Sequence, residues 1–263
     1  MKKALCLALA LIMAATALVG CAKKDDDWSY IKGKKEIVIG YTDYQPMNYT
    51  DDSGKLIGFD TEYAEAVCAK LGVTPKFVII NWDTKEVELA AKTIDCIWNG
   101  LTVTEERREK MAFTTSYIVN EQVLVVKSDN ASKYADKASL SGVAVVAEIE
   151  SAGQSAIEKD LPDAAFTAVD TQATALLEVK AGTAEAAVID ATMAEAMTGE
   201  GSDYSDLVVV TSVDLMDEEY AIGLRLGSTA VAEFNKVTEK LLADGTLQAI
   251  AEKYGLGARL ISK

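Results

Sequence analysis

The chain has 263 residues, 41 acidic against 26 basic, for a formal charge of -15, and it contains no histidine. That balance excludes a protein that wraps a phosphate backbone, which needs a clustered basic surface, and the missing histidine removes the usual general base near neutral pH and the commonest transition-metal ligand. At 49% hydrophobic and 25% charged it is globular in composition, long enough for one large core or two smaller ones.

Met1-Lys2-Lys3 is a short positive region, followed by an apolar stretch from Ala4 to Val19 that ends in Leu18-Val19-Gly20-Cys21. This looks like a bacterial lipoprotein signal peptide: residues 1–20 would be removed and Cys21 lipidated. The apolar run is short for a membrane span, and residues 21–29 read as a polar tether. An ordinary signal peptide or a single span are the alternatives. Cys6 leaves with the signal, so Cys68 and Cys96 remain, either as two buried thiols or as a disulfide. Two cysteines alone do not make a zinc site, and no metal or cofactor is expected.

Glu36 to Gly40 reads as a strand, followed by an aromatic loop from Tyr41 to Tyr49 and turn residues at 51–55. Gly58-Phe59-Asp60 opens a helix with Asp60 as its expected N-cap, and Tyr63, Ala64, Val67, Cys68 and Leu71 follow at helical spacing. Thr74 to Ile80 is a strand, Trp82 to Lys92 a helix, and Thr93 to Trp98 a short strand. A second unit of the same kind follows Gln122–Val126. It has strands at Val143–Val146, Ala165–Val169 and Ala186–Ile189, with helices through Lys159 and over Thr171–Gly182. Met193 and Met197 are i,i+4 packing positions. Tyr220–Leu224 is a further strand, and helices over Thr229–Asp244 and Thr246–Tyr254 close the chain. Alternating strands and helices predict parallel sheets covered by helices, with ligands beyond the C-terminal strand ends and a cleft between the two units.

Three passages then carry a resemblance: Gly58-Phe59-Asp60-Thr61-Glu62; Ile94 through Arg107; and Tyr220 through Arg225 with Phe234-Asn235-Lys236 and Ala243-Asp244-Gly245-Thr246. In this order, behind a lipoprotein-like leader, they resemble the extracellular solute-binding proteins of polar amino-acid ABC transporters, the histidine, lysine-arginine-ornithine and glutamine binding group, over Lys34 to Leu256. The resemblance implies an α/β, two-lobed periplasmic-binding-protein-like fold of type 2. Each lobe would be a mainly parallel sheet with helices on both faces, and two hinge strands would join them. Lobe 1 would hold residues 30–121 and 219–263, and lobe 2 residues 122–218. It also implies a monomer on the extracytoplasmic face, held to the membrane by lipid only, that passes a free amino acid to a membrane permease without binding nucleic acid.

The same resemblance places the ligand. Arg107, five residues after Thr102, would hold the α-carboxylate, and a guanidinium fork suits that group better than a lysine. Thr102 would donate to the same carboxylate and the Gly100 backbone accept from the amine. Arg108 reads as exterior. Asp190, at a strand end, would take the α-ammonium, unless it serves as a helix N-cap. Ser151 and Ala152 lie in the loop whose N–H groups grip the carboxylate, although Glu150 stands where the family commonly has glycine. Tyr44 would stack on the ligand side chain. Tyr41 and Trp98 are further walls, with Trp98 equally readable as core.

Glu148 and Asp43 would face the distal group. Two acids there slightly favour a cationic ligand such as lysine, arginine or ornithine, while glutamine or cystine stay open. A sensory binding module and a cleft enzyme of related fold are the rival functions. An enzyme is disfavoured, because acid–base work needs a carboxylate of raised pKa beside a labile bond.

Overall fold

The computed structural model describes residues 26–199 and 201–262. The expected signal peptide and Cys21 with its expected lipid lie outside the described residues. In chain order the first elements are α1 (Asp27–Lys34), β1 (Glu36–Tyr41), β2 (Tyr49–Thr50), β3 (Leu56–Ile57), α2 (Phe59–Leu71), β4 (Thr74–Ile79), α3 (Lys85–Ala91), β5 (Cys96–Ile97), α4 (Glu105–Lys110), β6 (Met111–Phe113) and β7 (Ile118–Lys127). There follow β8 (Ala144–Glu148), α5 (Ala152–Asp160), β9 (Ala165–Val169), α6 (Gln172–Ala181), β10 (Ala186–Asp190), α7 (Ala191–Met197) and β11 (Leu207–Val209). The chain ends with β12 (Asp217–Tyr220), β13 (Gly223–Arg225), α8 (Ala230–Ala243) and α9 (Thr246–Lys253).

These strands build two large sheets, in the orders β4-β1-β5-β13-β6 and β11-β7-β10-β8-β9, and β2 and β3 pair as a small hairpin. The first runs parallel from β4 through β5 and antiparallel across β13. The second is parallel from β10 to β9 and antiparallel around β7. Both sheets are therefore mixed rather than mainly parallel. The cause is the crossing: β7 and β13 enter their sheets from the hinge side, so they run against strands that end at the cleft.

Strand β7 has ten residues and serves both lobes. Its first part pairs with β12, Ile118 opposite Tyr220 and Glu121 opposite Asp217, and its second part joins the second sheet through β10 and β11. The expected strand Tyr220–Leu224 is split at Ala221-Ile222, where the chain steps from hinge to sheet.

Helix α2 begins two residues earlier than an Asp60 cap would place it. Its N-cap is Gly58, at φ 125, and Asp60 makes no cap. Asp60 is instead fully buried, accepting from the Gly100 N–H at 2.7 Å and the Tyr117 hydroxyl at 2.9 Å. The helix expected from Trp82 starts as a single 3-10 turn before α3, and the strand expected from Thr93 shortens to β5. Met193 is buried and Met197 packs beside it, as the i,i+4 spacing predicts. Cys68 and Cys96 are both free and buried, and burial pushes the Cys68 thiol up to about 12.

Candidate functional site

The C-terminal ends of β1, β5, β8 and β10 meet around a small cavity between the two sheets. Thr42 follows β1, Asn99, Gly100 and Thr102 follow β5, and Glu148 and Asp190 end β8 and β10. Ser151 and Ala152 at the start of α5, with Tyr44, Trp82, Gln122 and Gln172, complete the wall. The cavity measures about 10 Å³, room for one water at most. A second cavity of about 350 Å³ adjoins it at Ala152 and is lined by Arg107, Lys85, Thr104 and Gln154 among others. The lobes touch directly: the Tyr44 hydroxyl is 2.5 Å from the Thr192 hydroxyl, and Arg107 reaches the Glu150 carbonyl at 3.0 Å.

Of the residues expected at the site, Tyr44, Gly100, Thr102, Glu148, Ser151, Ala152 and Asp190 surround the inner cavity. Gly100 sits at φ +56, and a Cβ there would stand 2.6 Å from the Tyr44 ring, so glycine is needed both for backbone and for space. Arg107 is buried but lines the outer cavity. Its guanidinium donates to the carbonyls of Thr102 at 2.9 Å and Glu150 at 3.0 Å, and burial lowers its pKa. Arg108 is exposed beside Glu105, as expected.

Three expected site residues, the walls Trp98 and Tyr41 and the distal acid Asp43, lie elsewhere. Trp98 is fully buried core, edge-on to Tyr63 at 4.9 Å and packed on Phe234, because its strand is covered by α2 and α8. Tyr41 packs edge-on against Phe77 of the neighbouring strand and does not line the inner cavity. Asp43 is exposed and lines an outer groove with Ile79 and Asp83.

The alternative role of Asp190 is settled by geometry. It occupies the N-cap position of α7 but its side chain makes no cap bond. The carboxylate instead accepts from the amides of Gln172 at 2.5 Å, Asn120 at 3.4 Å and Gln122. Ser151 does act as an N-cap, its hydroxyl accepting from the Gln154 N–H at 3.1 Å. Glu150 has φ 56, the left-handed conformation that glycine favours.

Two buried charged residues at the site, Glu218 and Lys85, are not among those expected from the sequence. Glu218, on hinge strand β12, is buried and accepts from the hydroxyl of Thr102 at 2.9 Å and the amides of Gln122 at 2.9 Å and Asn120. Burial, then the neighbouring Asp190, raises its pKa well above the usual carboxylate range. Glu148 is pushed to about 8, first by burial and then by Asp190, against the opposing pull of Lys85 and Arg107. Lys85 is buried too. Its position did carry a usable signal: a cation in the first turn of a helix opposes the helix dipole and calls for a compensating reason.

Residues 37–257 match the family model of bacterial extracellular solute-binding proteins, family 3. The chain belongs to this family. The L-cystine-binding protein of Escherichia coli is 25% identical over 253 residues, covering 94% of each chain. Among solved structures, a mutant of the arginine-binding protein of T. maritima has a TM-score of 0.80 at 30% identity, covering 87% of this chain and 98% of its own. A substrate-binding protein of Streptococcus pneumoniae with bound histidine gives 0.78 at 34% identity, over 87% of this chain and 96% of its own. The two-lobed type 2 fold is the one these relatives share. As a member of the family, the protein captures a polar amino acid outside the cytoplasm for delivery to an ABC permease. Fold and relatives are those of non-catalytic solute-binding proteins.

Proposed function

We propose that the ligand is a basic amino acid, lysine, arginine or ornithine. The observation that carries this reading is that two acids, Glu148 and Asp190, line one buried cavity. An α-ammonium on Asp190 and a cationic side chain on Glu148 would neutralise both. The α-carboxylate goes to Arg107, Thr102 and the first turn of α5, and the Tyr44 ring forms a wall of the side-chain pocket. Solved relatives bound to arginine support a cationic ligand.

Capture proceeds by hinge closure. The amino acid docks on lobe 1, residues 30–121 and 219–263. Lobe 2, residues 122–218, then closes over it, so that ligand contacts favour the closed state. The protein acts as a monomer tethered through lipid on Cys21. Mass spectrometry checks the tether: an acylated N-terminal peptide beginning at Cys21 is expected, and peptides retaining Met1 would contradict it.

Glutamine or cystine is the second reading. Three neutral amides, Asn120, Gln122 and Gln172, already satisfy Asp190, and the Escherichia coli relative binds L-cystine. Calorimetric titration separates the two. Glu148→Gln should lose far more affinity for L-arginine than for L-glutamine, whereas equal losses would remove the ion-pair basis of the basic-ligand reading.

A further inference from the structure

Lys85 stands out among the charged residues outside the expected site. Its side chain is buried, with the residue 2% exposed, yet no carboxylate pairs with it among the described residues. The ammonium donates to two neutral carbonyls, Trp82 at 2.9 Å and Glu150 at 3.2 Å, and lies 4.8 Å from the centre of the Trp82 ring. Arg107 is in the same condition, held by the carbonyls of Thr102 and Glu150. The two cations therefore converge on one neutral atom, the Glu150 carbonyl oxygen, from 3.2 Å and 3.0 Å. Burying an ion costs several kcal/mol unless an opposite charge repays it, and a single carbonyl dipole shared by two cations does not.

The nearby acids are occupied elsewhere. Lys110 takes both Glu86 at 3.1 Å and Glu106 at 2.9 Å, Gln154 donates to Glu158 at 2.8 Å, and the Glu150 side chain is exposed. Glu148 faces the inner cavity beside Asp190. Both cations line the 350 Å³ cavity that adjoins the binding cavity. The mutual repulsion is real: burial first, then Arg107, lowers the Lys85 ammonium to about 8, with Glu86, Glu150 and Glu148 pulling the other way.

We propose that Lys85 is a second anchor for the ligand's carboxylate, placed with Arg107 so that one oxygen of that group takes the position of the Glu150 carbonyl oxygen between them. The site is then bipolar, with two cations at one end and the acids Glu148 and Asp190 at the other. It would reject ligands that lack a carboxylate more strongly than a single arginine can. This inference rests on the amino-acid reading of the cleft but not on which side chain is bound.

The test is a comparison of each acid with its α-carboxamide: L-arginine with L-argininamide, and L-glutamine with its α-amide. Titrations are run on the full protein and on Lys85→Gln and Lys85→Arg. A carboxylate contact predicts that Lys85→Gln lowers the acid-to-amide affinity ratio by about tenfold or more, the loss of one charge-assisted bond, and that Lys85→Arg restores part of it. A lysine that only ties the Glu150 loop to Trp82 would weaken acid and amide by the same factor, and an unchanged ratio overturns the proposal. The ratio is read on whichever pair binds, so a glutamine-preferring protein would refute the basic-ligand reading while still judging Lys85.

Discussion

Lobe 1 and the cleft each bury a cluster of charges, and they are satisfied in opposite ways. At the base of lobe 1, the Arg225 guanidinium donates to Asp27 at 2.6 Å, to Asp95 at 3.0 Å and to the Ile94 carbonyl at 2.7 Å. Asp95, fully buried, also accepts from Lys34 and from the Val38 N–H at 2.8 Å. Two acids meet two cations, and the group ties α1 to the edges of β1, β5 and β13. In the cleft, Arg107 and Lys85 meet carbonyls, and Asp190 and Glu218 meet amides and a hydroxyl. Where buried charge faces buried charge, the cluster holds the fold together. Where it faces neutral dipoles, the matching charge has to arrive from outside.

The largest effect should come from breaking the matched cluster. Asp95→Ala leaves Arg225 and Lys34 short of a buried counter-charge and should cost about 3–5 kcal/mol of stability, measured by urea denaturation. The affinity of the molecules that remain folded should be unchanged. If binding fell as steeply as stability, the two clusters would not be separable. Arg107→Ala reverses the pattern. It should weaken amino-acid binding at least a hundredfold, about 3 kcal/mol of charge-assisted bonding, while the urea midpoint without ligand moves little. Retained affinity would show that another group anchors the carboxylate.

Glu148→Gln tests the cost of the unmatched acids. In the folded chain Glu148 titrates near 8 instead of 4.5, so the fold holds a proton that the unfolded chain has released. That contribution is full below pH 4.5 and is lost as pH rises through about 8. Without ligand, stability of the parent protein should fall between pH 5 and pH 8.5, and Glu148→Gln should be the more stable of the two at pH 8.5 by roughly 4–5 kcal/mol. Asp60, raised to about 7 by burial, adds a slope of the same sign that survives in the variant and ends earlier. A cationic ligand beside Glu148 should expel its proton at pH 7. Calorimetry in buffers of different ionisation enthalpy reads that release, and L-glutamine should cause less of it.

The fold was legible because hydrophobic periodicity and turn residues act locally. Strand Ala165–Val169 and the two terminal helices appear where the sequence pattern puts them, within a residue or so. What failed depended on partners distant in sequence. Asp60 looks like a cap until Gly100 and Tyr117, 40 and 57 residues away, claim its carboxylate. Trp98 is an aromatic at a strand end in either role, and only the packing of Tyr63 and Phe234 assigns it to the core. Glu218 lies in Asp217-Glu218-Glu219, a run that reads as solvated surface, yet strand alternation in β12 turns only the middle acid inward. Asp190 and Glu148 were expected from the family resemblance rather than from any local pattern, and both line the inner cavity at strand ends.

The smallest predicted effect concerns the loop between the two poles of the cleft. Glu150 holds φ 56 so that its carbonyl can face Arg107 and Lys85, while its N–H donates to the Gln154 side chain at 2.9 Å. A non-glycine residue in this conformation is strained by about 1 kcal/mol, and its exposed carboxylate returns no ion pair among the described residues. Glu150→Gly removes that strain but also widens the freedom of the unfolded chain. The net gain should therefore be under about 1 kcal/mol, seen as a small rise in the urea midpoint. Every bond that the loop makes to the two cations is through backbone, so affinity should be preserved. A β-branched residue at the same position should move the midpoint the other way, because it cannot hold the left-handed conformation cheaply. Glu150→Val should lower the midpoint, while the affinity should not fall with it, since the ligand's carboxylate is proposed to take the place of that carbonyl between Arg107 and Lys85.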